Sequence, residues 1–357
     1  MSTTMGVIQL GPYPPPQGGI QTHLVGLRKL LLERGIPCAV VNLTRFRKDE
    51  ADDIYYPKHA LEVARLLVRL RHPVLHLHIG GRVTGRLLGL SLFCCLLPRR
   101  RTVLTFHSGG YPTSAAGLTA GSRTLRGFVF QRFHRIIAVN TAIVDLFRKF
   151  GVRPDRLRLI PPFAESVPPL ARPLADHLRD FFALHRPLLL TVGLLEPEYD
   201  LGLQIEVLGA VRERFPKAGL VILGAGGLEA PLRAAIAARP YAEHVLLYGD
   251  CPHPMTLRAI ADSDVLLRTT RYDGDSISVR EALALGTPVI ATDNGMRPEG
   301  VDLIPPADGV ALLDAITRRL TEGPPPHRQP VGADKNLSAV VDVYDELWAE
   351  LGAIHRR

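Results

Sequence analysis

Short runs of Leu, Val and Ile alternate with amphipathic stretches along most of the chain, and after a proline-rich break the alternation starts again. This double cycle limits the fold more than any other feature. Apolar runs of strand length read as strands buried on both faces, and helix-length connections between them make those strands parallel. In the first cycle the expected strands are 5–10, 38–43, 74–78, 102–106, 135–139 and 156–160, with helical patterns such as 22–34 and 141–150 between them. The segment PPFAESVPPLARP, 161–173, has no periodicity and reads as a hinge or linker. The second cycle places strands at 187–192, 219–223, 244–248, 264–267 and 288–291, and helices at 203–215, 228–238, 254–261, 276–285 and 309–320.

A second break, GPPPHRQPVGADKN at 323–336, precedes an amphipathic helix over 337–351. The expectation is two Rossmann-like, doubly wound α/β domains, 1–165 and 166–336, with the last helix packing back on the first domain. A length of 357 residues suits two cores better than one. Such sheets bind ligands at the carboxyl ends of their strands, so two facing lobes are expected to enclose one interdomain cleft.

With 46% hydrophobic and 22% charged residues the chain has the composition of a globular protein. Its net charge of +8 suits an acidic partner: a nucleotide, a phospholipid surface or a nucleic acid. Nucleic acid is set aside, because no zinc-finger spacing, RNP-like aromatic strand or long basic run accompanies the charge. Cys38, Cys94, Cys95 and Cys251 show no C-x-x-C pairing and read as free thiols of a reducing cytoplasm. No apolar segment reaches the ~18 residues of a membrane span, and the first residues lack the pattern of a signal peptide. The stretch LLGLSLFCCLLPRRR, 87–101, admits two readings: a helix packed on a sheet with its arginines at the exposed end, or one resting on anionic headgroups at the inner face of a membrane.

The most informative stretch is RTTRYDGDSISVREALALGTPVIAT, 268–292. A glycine-containing, hydroxyl-rich loop there runs directly into a helix, so backbone N–H groups and the positive helix end converge where a phosphate can sit. Gly274, Asp275 and Ser276 belong to that loop, and Asp275, Ser276 and Ser278 are also candidates simply to cap the helix. Asp273 and Glu281 stand eight residues apart, about two turns. One acid can therefore lie near a bound sugar while the other accepts from ribose hydroxyls. Gly286 reads as a left-handed helix end before the strand that follows.

The segment DGDSISVREALALGTPVIAT resembles the signature of the retaining GT-B glycosyltransferases of family 4: an acid, seven residues, Glu-Ala, then Gly-Thr-Pro-Val. The first acid departs from the usual Glu, since Asp273 is one methylene shorter. Further matches run along most of the chain. PPPQGGIQTHL supplies Gly18, Gly19 and His23 where the family opens a helix over the donor diphosphate. TVLTFHSGG supplies His107 where the family has a histidine near the donor sugar. LVILGAGGLEAPLR supplies Gly224 at the second-domain turn, although Glu229 breaks a full G-x-G-x-x-G and argues against a nicotinamide cofactor.

The resemblance fails at TVGLLEPEYDLGL. After Gly193 the family carries an Arg and then a Lys that clamp the diphosphate, and here Leu194 and Tyr199 occupy those positions. Losing one such donor can cost ~3 kcal/mol of transition-state stabilisation. Arg271 and Arg297 are the candidates to replace the clamp, with Arg268 and Arg280 behind them. The resemblance implies a metal-independent transfer, with retention of configuration, from a UDP or GDP sugar to a glycan or lipid-linked hydroxyl acceptor. His76 and His78 share a strand face, but two imidazoles without a carboxylate cluster do not make a metal site. The alternatives are a nucleotide- or partner-binding protein that has lost turnover, and an isomerase of nucleotide-sugars.

Overall fold

The computed structural model of the chain describes residues 5–14, 18–44, 50–162, 173–271, 273, 276–295, 297–322 and 336–354. Contacts divide the chain into two compact units, one of Met1–Pro16, Ile20–Phe163 and Lys335–Arg357, the other of Gln17–Gly19 and Ala164–Asp334.

The first cycle forms β1 (Val7–Gly11), α1 (Gly19–Glu33), β2 (Cys38–Asn42), β3 (Ile54–Tyr55), α2 (Ala60–Arg69), β4 (Val74–Ile79), α3 (Gly85–Leu96), β5 (Arg101–Phe106), α4 (Ala115–Leu118), α5 (Leu125–Phe130), β6 (Arg135–Ala138), α6 (Thr141–Lys149) and β7 (Leu157–Leu159). The second forms α7 (Asp176–Leu184), β8 (Leu188–Val192), α8 (Leu201–Arg214), β9 (Gly219–Leu223), α9 (Glu229–Ala237), β10 (Val245–Gly249), α10 (His253–Asp262), β11 (Val265–Arg268), α11 (Ile277–Leu285), β12 (Val289–Thr292), β13 (Asp302–Ile304) and α12 (Gly309–Glu322), and α13 (Asn336–Ile354) closes the chain. The strands make two sheets, of order β3-β2-β1-β4-β5-β6-β7 and β10-β9-β8-β11-β12-β13. Every pairing between these strands is parallel; Val7, for example, lies opposite both Cys38 and Val74.

Successive strand residues point to opposite faces, and this alternation separates the two sides of the first sheet. Ile8, Leu75, Leu77, Leu104 and Ile136 pack with Leu88 and Cys94 of α3, Phe130 of α5 and Phe147 of α6. Val7, Val74, Val103 and Ile137 pack on the other side with Leu27 and Leu31 of α1 and with Val340, Val341, Tyr344 and Leu347 of α13. The last helix is thus part of the first unit's core. Arg135 reaches from β6 to Glu346 at 3.1 Å and Glu350 at 2.6 Å, and Arg158 of β7 adds a 2.8 Å contact to Glu346. In the second unit Leu189, Leu220, Ile222 and Leu267 pack against α8 and α12, while Leu190, Val221, Leu266 and Ala291 pack against α7, α10 and α11.

The two-sheet α/β expectation is met, and the differences lie at the edges. β3 and β13 escape periodicity because they are only two and three residues long. The stretch 87–101 takes in most of α3, whose Leu88, Ser91 and Cys94 are buried while Leu96 is 67% exposed. One face packs on the sheet and the other is left open. Among the described residues no helix is long and apolar enough to cross a membrane. All four cysteines are free.

The Tyr344 hydroxyl meets Nδ1 of His76, both fully buried between α13 and β4. Replacing Tyr344 by Phe removes the partner of that nitrogen without opening a large cavity, so it is expected to destabilise the protein by about 1–3 kcal/mol. Urea unfolding checks this, as a lower midpoint at an unchanged slope.

Candidate functional site

In the second unit β11 ends at Arg268, and the chain reaches the start of α11 through the loop that carries Asp273. Arg268 donates from Nε to Oδ2 of Asp273 at 2.8 Å and from Nη1 to the Val192 carbonyl at 3.0 Å. Arg297 donates to the same Oδ2 at 3.0 Å, to the Thr270 hydroxyl at 2.8 Å and to the Thr292 carbonyl at 3.0 Å. One carboxylate therefore ties together the carboxyl ends of β8, β11 and β12. Burial alone would push the Asp273 carboxyl up, but Arg268 and then Arg297 outweigh it and hold the group below its usual range. Burial likewise works against the Arg268 charge, and Asp273 more than offsets it, so that guanidinium stays charged.

This geometry bears on two expected roles. Asp273, expected near a bound sugar, is engaged by two guanidiniums with 14% of its side chain exposed. Arg297, a candidate to replace the diphosphate clamp, has a side chain that is 2% exposed. Arg271 lies apart from this cluster. Its side chain is 61% exposed and 3.5 Å from Asp200, and its backbone N–H donates to Glu198.

Arg268 has a further contact that spacing did not reveal: its guanidinium lies 4.6 Å from the centre of the Tyr199 ring. Tyr199 stands at the lysine position of the resembled motif, so a ring that receives a cation from β11 replaces a side chain that carried one. Gly193 is needed for this packing, because a Cβ there would fall 2.1 Å from the Tyr199 ring. A Cβ on Gly224, whose φ is +146°, would meet the Gly193 carbonyl oxygen at 1.7 Å. Both glycines serve the close approach of the β8 and β9 loops, which Gly193 N–H to Leu223 and Leu195 N–H to Ala225 bonds stitch together.

Glu281 lies within α11, 2% exposed, and accepts from Nε2 of His253 at 2.6 Å. His253 is the first residue of α10, so the start of that helix meets the middle of α11 at this carboxylate. The pairing joins residues 28 apart in sequence, and no local spacing announces it. Ser276 holds the N-cap position of α11, yet its side chain caps no N–H and lies 3.1 Å from the Ser278 hydroxyl instead. Gly286 ends the helix at φ 79°, as expected. Gly274 and Asp275 lie outside the described residues.

Gly18 directly precedes α1, which opens at Gly19 with no acidic residue in its first turn; both glycines group with the second unit, and α1 from Ile20 onward with the first. His107, at the end of β5, sits 3.2 Å from Nδ1 of His78 through its Nε2, and the His23 ring lies 5.4 Å from His107 and 5.7 Å from His78. Burial lowers all three imidazoles, His23 to about 4 and the other two well below the usual histidine range, with the neighbouring histidines adding to the effect for His78 and His107. They are neutral at pH 7. Both nitrogens of His23 and Nε2 of His78 have no hydrogen-bond partner among the described residues. His76, on the same strand face, is occupied by Tyr344 and by Thr105 at 2.6 Å. No group of three or more His, Cys, Asp or Glu is arranged to hold a metal ion among the described residues.

Residues 17–165 match the family model described as Glycosyltransferase Family 4, and residues 179–318 match that described as Glycosyl transferases group 1. The amylovoran biosynthesis glycosyltransferase AmsK of Erwinia amylovora is 29% identical over 238 residues, 63% of this chain and 53% of that protein. The alpha-D-kanosaminyltransferase of Streptomyces kanamyceticus is 26% identical over 188 residues, 49% of each chain. These matches span about half the length of each relative. Anabaena HepE in complex with UDP-glucose has the same fold, with a TM-score of 0.69, 16% identity and coverage of 97% of this chain and 99% of that one. Two parallel-sheet Rossmann-like domains with these neighbours define the GT-B class. Within it, the chain resembles the glycosyltransferases of family 4.

Replacing Asp273 by Asn leaves two buried guanidiniums without their shared carboxylate and is expected to cost about 3–5 kcal/mol of stability. Because the folded carboxyl titrates below the ordinary aspartate value of 3.8, its contribution is present above that value and lost as pH falls through the lower folded one. Stability measured against pH is therefore expected to fall less steeply on the acid side in the Asn variant than in the native chain.

Proposed function

We propose that the protein transfers a sugar from a nucleoside-diphosphate donor, of UDP or GDP type, to a glycan or lipid-linked hydroxyl, with retention of configuration and without metal or other cofactor. The setting is envelope glycan, polysaccharide or glycolipid synthesis at the cytoplasmic face of a membrane. The observation that carries the reading is Glu281: a nearly fully buried carboxylate, oriented by His253, in the helix that follows the β11 loop. Burying a carboxylate is costly, and one held in place by a single imidazole retains acceptor capacity for a ribose diol.

In this reading the donor phosphates rest at the start of α11, near Ser276, where backbone N–H groups are not taken by a serine cap. Arg268 and Arg297 contribute a fixed positive field close to that point, in place of the cations absent at Leu194 and Tyr199. Arg271, 61% exposed, is the arginine able to reach a departing phosphate directly. His107 is neutral, which suits a hydrogen bond to a sugar hydroxyl rather than the work of a charged acid.

A second reading, nucleotide binding without turnover, draws on the engagement of Asp273 by two arginines, which removes the first acid of the motif from the role of open acceptor. Donor consumption separates the two. Under the first reading UDP- or GDP-sugar is consumed in the presence of acceptor, and Arg271→Ala lowers kcat by about tenfold or more. Under the second, the nucleotide binds and nothing is consumed.

Thermal shift against a panel of nucleotide-sugars is expected to raise the melting temperature with UDP or GDP donors, corresponding to about 2.7 kcal/mol at a hundredfold excess over Kd. Glu281→Gln is expected to weaken that binding about tenfold by calorimetry, because the amide replaces a charged acceptor. A panel that produces no shift at all removes the donor-binding reading.

A further inference from the structure

The carboxyl end of β5 carries a histidine whose two ring nitrogens lie in different surroundings. The His107 backbone N–H extends the strand pairing by donating to the Ile79 carbonyl at 2.8 Å, which fixes where the ring leaves the sheet. Its Nε2 faces inward, 3.2 Å from Nδ1 of His78. Its Nδ1 is bonded to no described residue and is not among the enclosed polar atoms, so it is the nitrogen left open to solvent.

His78 has no such freedom. It is buried, its ring lies 4.0 Å from that of His76, and a Cβ on Gly11 of β1 would fall 3.0 Å from its own Cβ. His76 is in turn held through both nitrogens, by Tyr344 of α13 and Thr105 of β5. The His23 ring closes a third side, steeply inclined to His78 and His107 at 61° and 70°. Packing therefore sets the His78–His107 pair before any substrate arrives.

Burial keeps both rings neutral. A neutral imidazole has one N–H and one bare nitrogen, so two rings in contact through nitrogen hold one proton between them. If that proton lies on Nε2 of His107, His78 must carry its own on Nε2, an enclosed nitrogen with no acceptor among the described residues. If it lies on Nδ1 of His78, the enclosed nitrogen is bare. A buried N–H without an acceptor is the rarer defect in folded chains, which favours the second arrangement.

We infer that His78 is a positioning residue: its Nδ1–H donates to Nε2 of His107 and holds His107 as the Nδ1–H tautomer, so that the open side of that ring is a hydrogen-bond donor and not a base. A sugar or phosphate oxygen is a suitable partner for such a donor, and a hydroxyl that must lose its proton is not. The consequence for turnover rests on the proposed placing of a sugar beside His107; the tautomer itself rests on the first unit alone.

Nitrogen-15 NMR of the native chain, labelled at histidine and without nucleotide, reads the tautomers directly. At neutral pH His107 is expected to show a pyrrole-type Nδ1 and a pyridine-type Nε2, assigned by their loss in His107→Asn, and His78 the same pattern. With a nucleotide-sugar and acceptor, His78→Leu is expected to lower kcat about fivefold, the worth of one lost hydrogen bond, and His78→Asn, whose amide can stand in for the Nδ1–H, to recover most of it. The inference is overturned by a protonated Nε2 and a bare Nδ1 on His107, by an imidazolium at either residue, or by equal turnover of His78→Leu and His78→Asn. A native chain that consumes no donor while its nitrogen signals match removes the proposed reaction and not the tautomer.

Discussion

A parallel sheet covered by helices on both faces leaves almost no room for polar side chains except where its strands end, and everything else in this protein follows from that restriction. In each unit the strand interiors are Val, Leu and Ile, fully buried. The groups able to do chemistry collect at carboxyl ends and in the loops that follow. Arg268 is the last residue of β11, and His107 directly follows β5. The buried exceptions include Gln9 of β1, Thr105 of β5, Thr191 of β8 and the pair His76 and His78 of β4, and for the two histidines burial has a visible consequence: the imidazoles lose their charge and are packed among themselves and Tyr344.

At the end of β11 the restriction becomes electrostatic. Two guanidiniums buried at less than a tenth exposure would be untenable without a carboxylate, and Asp273 supplies it to both. The shorter acid is part of the arrangement, because its Oδ2 must accept from β11 and from the loop after β12 at once. The result is a rigid joint among strand ends beside the start of α11. A rigid joint suits electrostatic stabilisation, which depends on dipoles and charges that need not reorganise.

The sequence makes the alternation of elements legible because periodicity is a local property. β9 coincides with the expected 219–223, and Gly286 ends α11 in the left-handed conformation expected of it. Contacts across long separations are not legible in this way. The His253–Glu281 pair spans 28 residues, and the bonds of Arg297 to Asp273 and Thr270 span 24 and 27. The spacing of Asp273 to Glu281 says nothing about what binds either carboxylate.

The missing clamp is best understood as a change in which strand carries the cation. In the resembled motif, positive charge follows β8, at the positions taken here by Leu194 and Tyr199. In this chain Leu194 is 43% exposed, and Tyr199 turns its ring toward a guanidinium that comes from β11. A Tyr in place of the Lys would be a simple loss if the ring faced solvent. Stacked on Arg268 and fitted over Gly193, it is a support instead: it fixes the orientation of a buried cation whose other contacts are Asp273 and the Val192 carbonyl. Tyr199, Arg268 and Asp273 therefore act as one unit, and the departures from the family pattern at the lysine position and at the first acid are two ends of the same rearrangement.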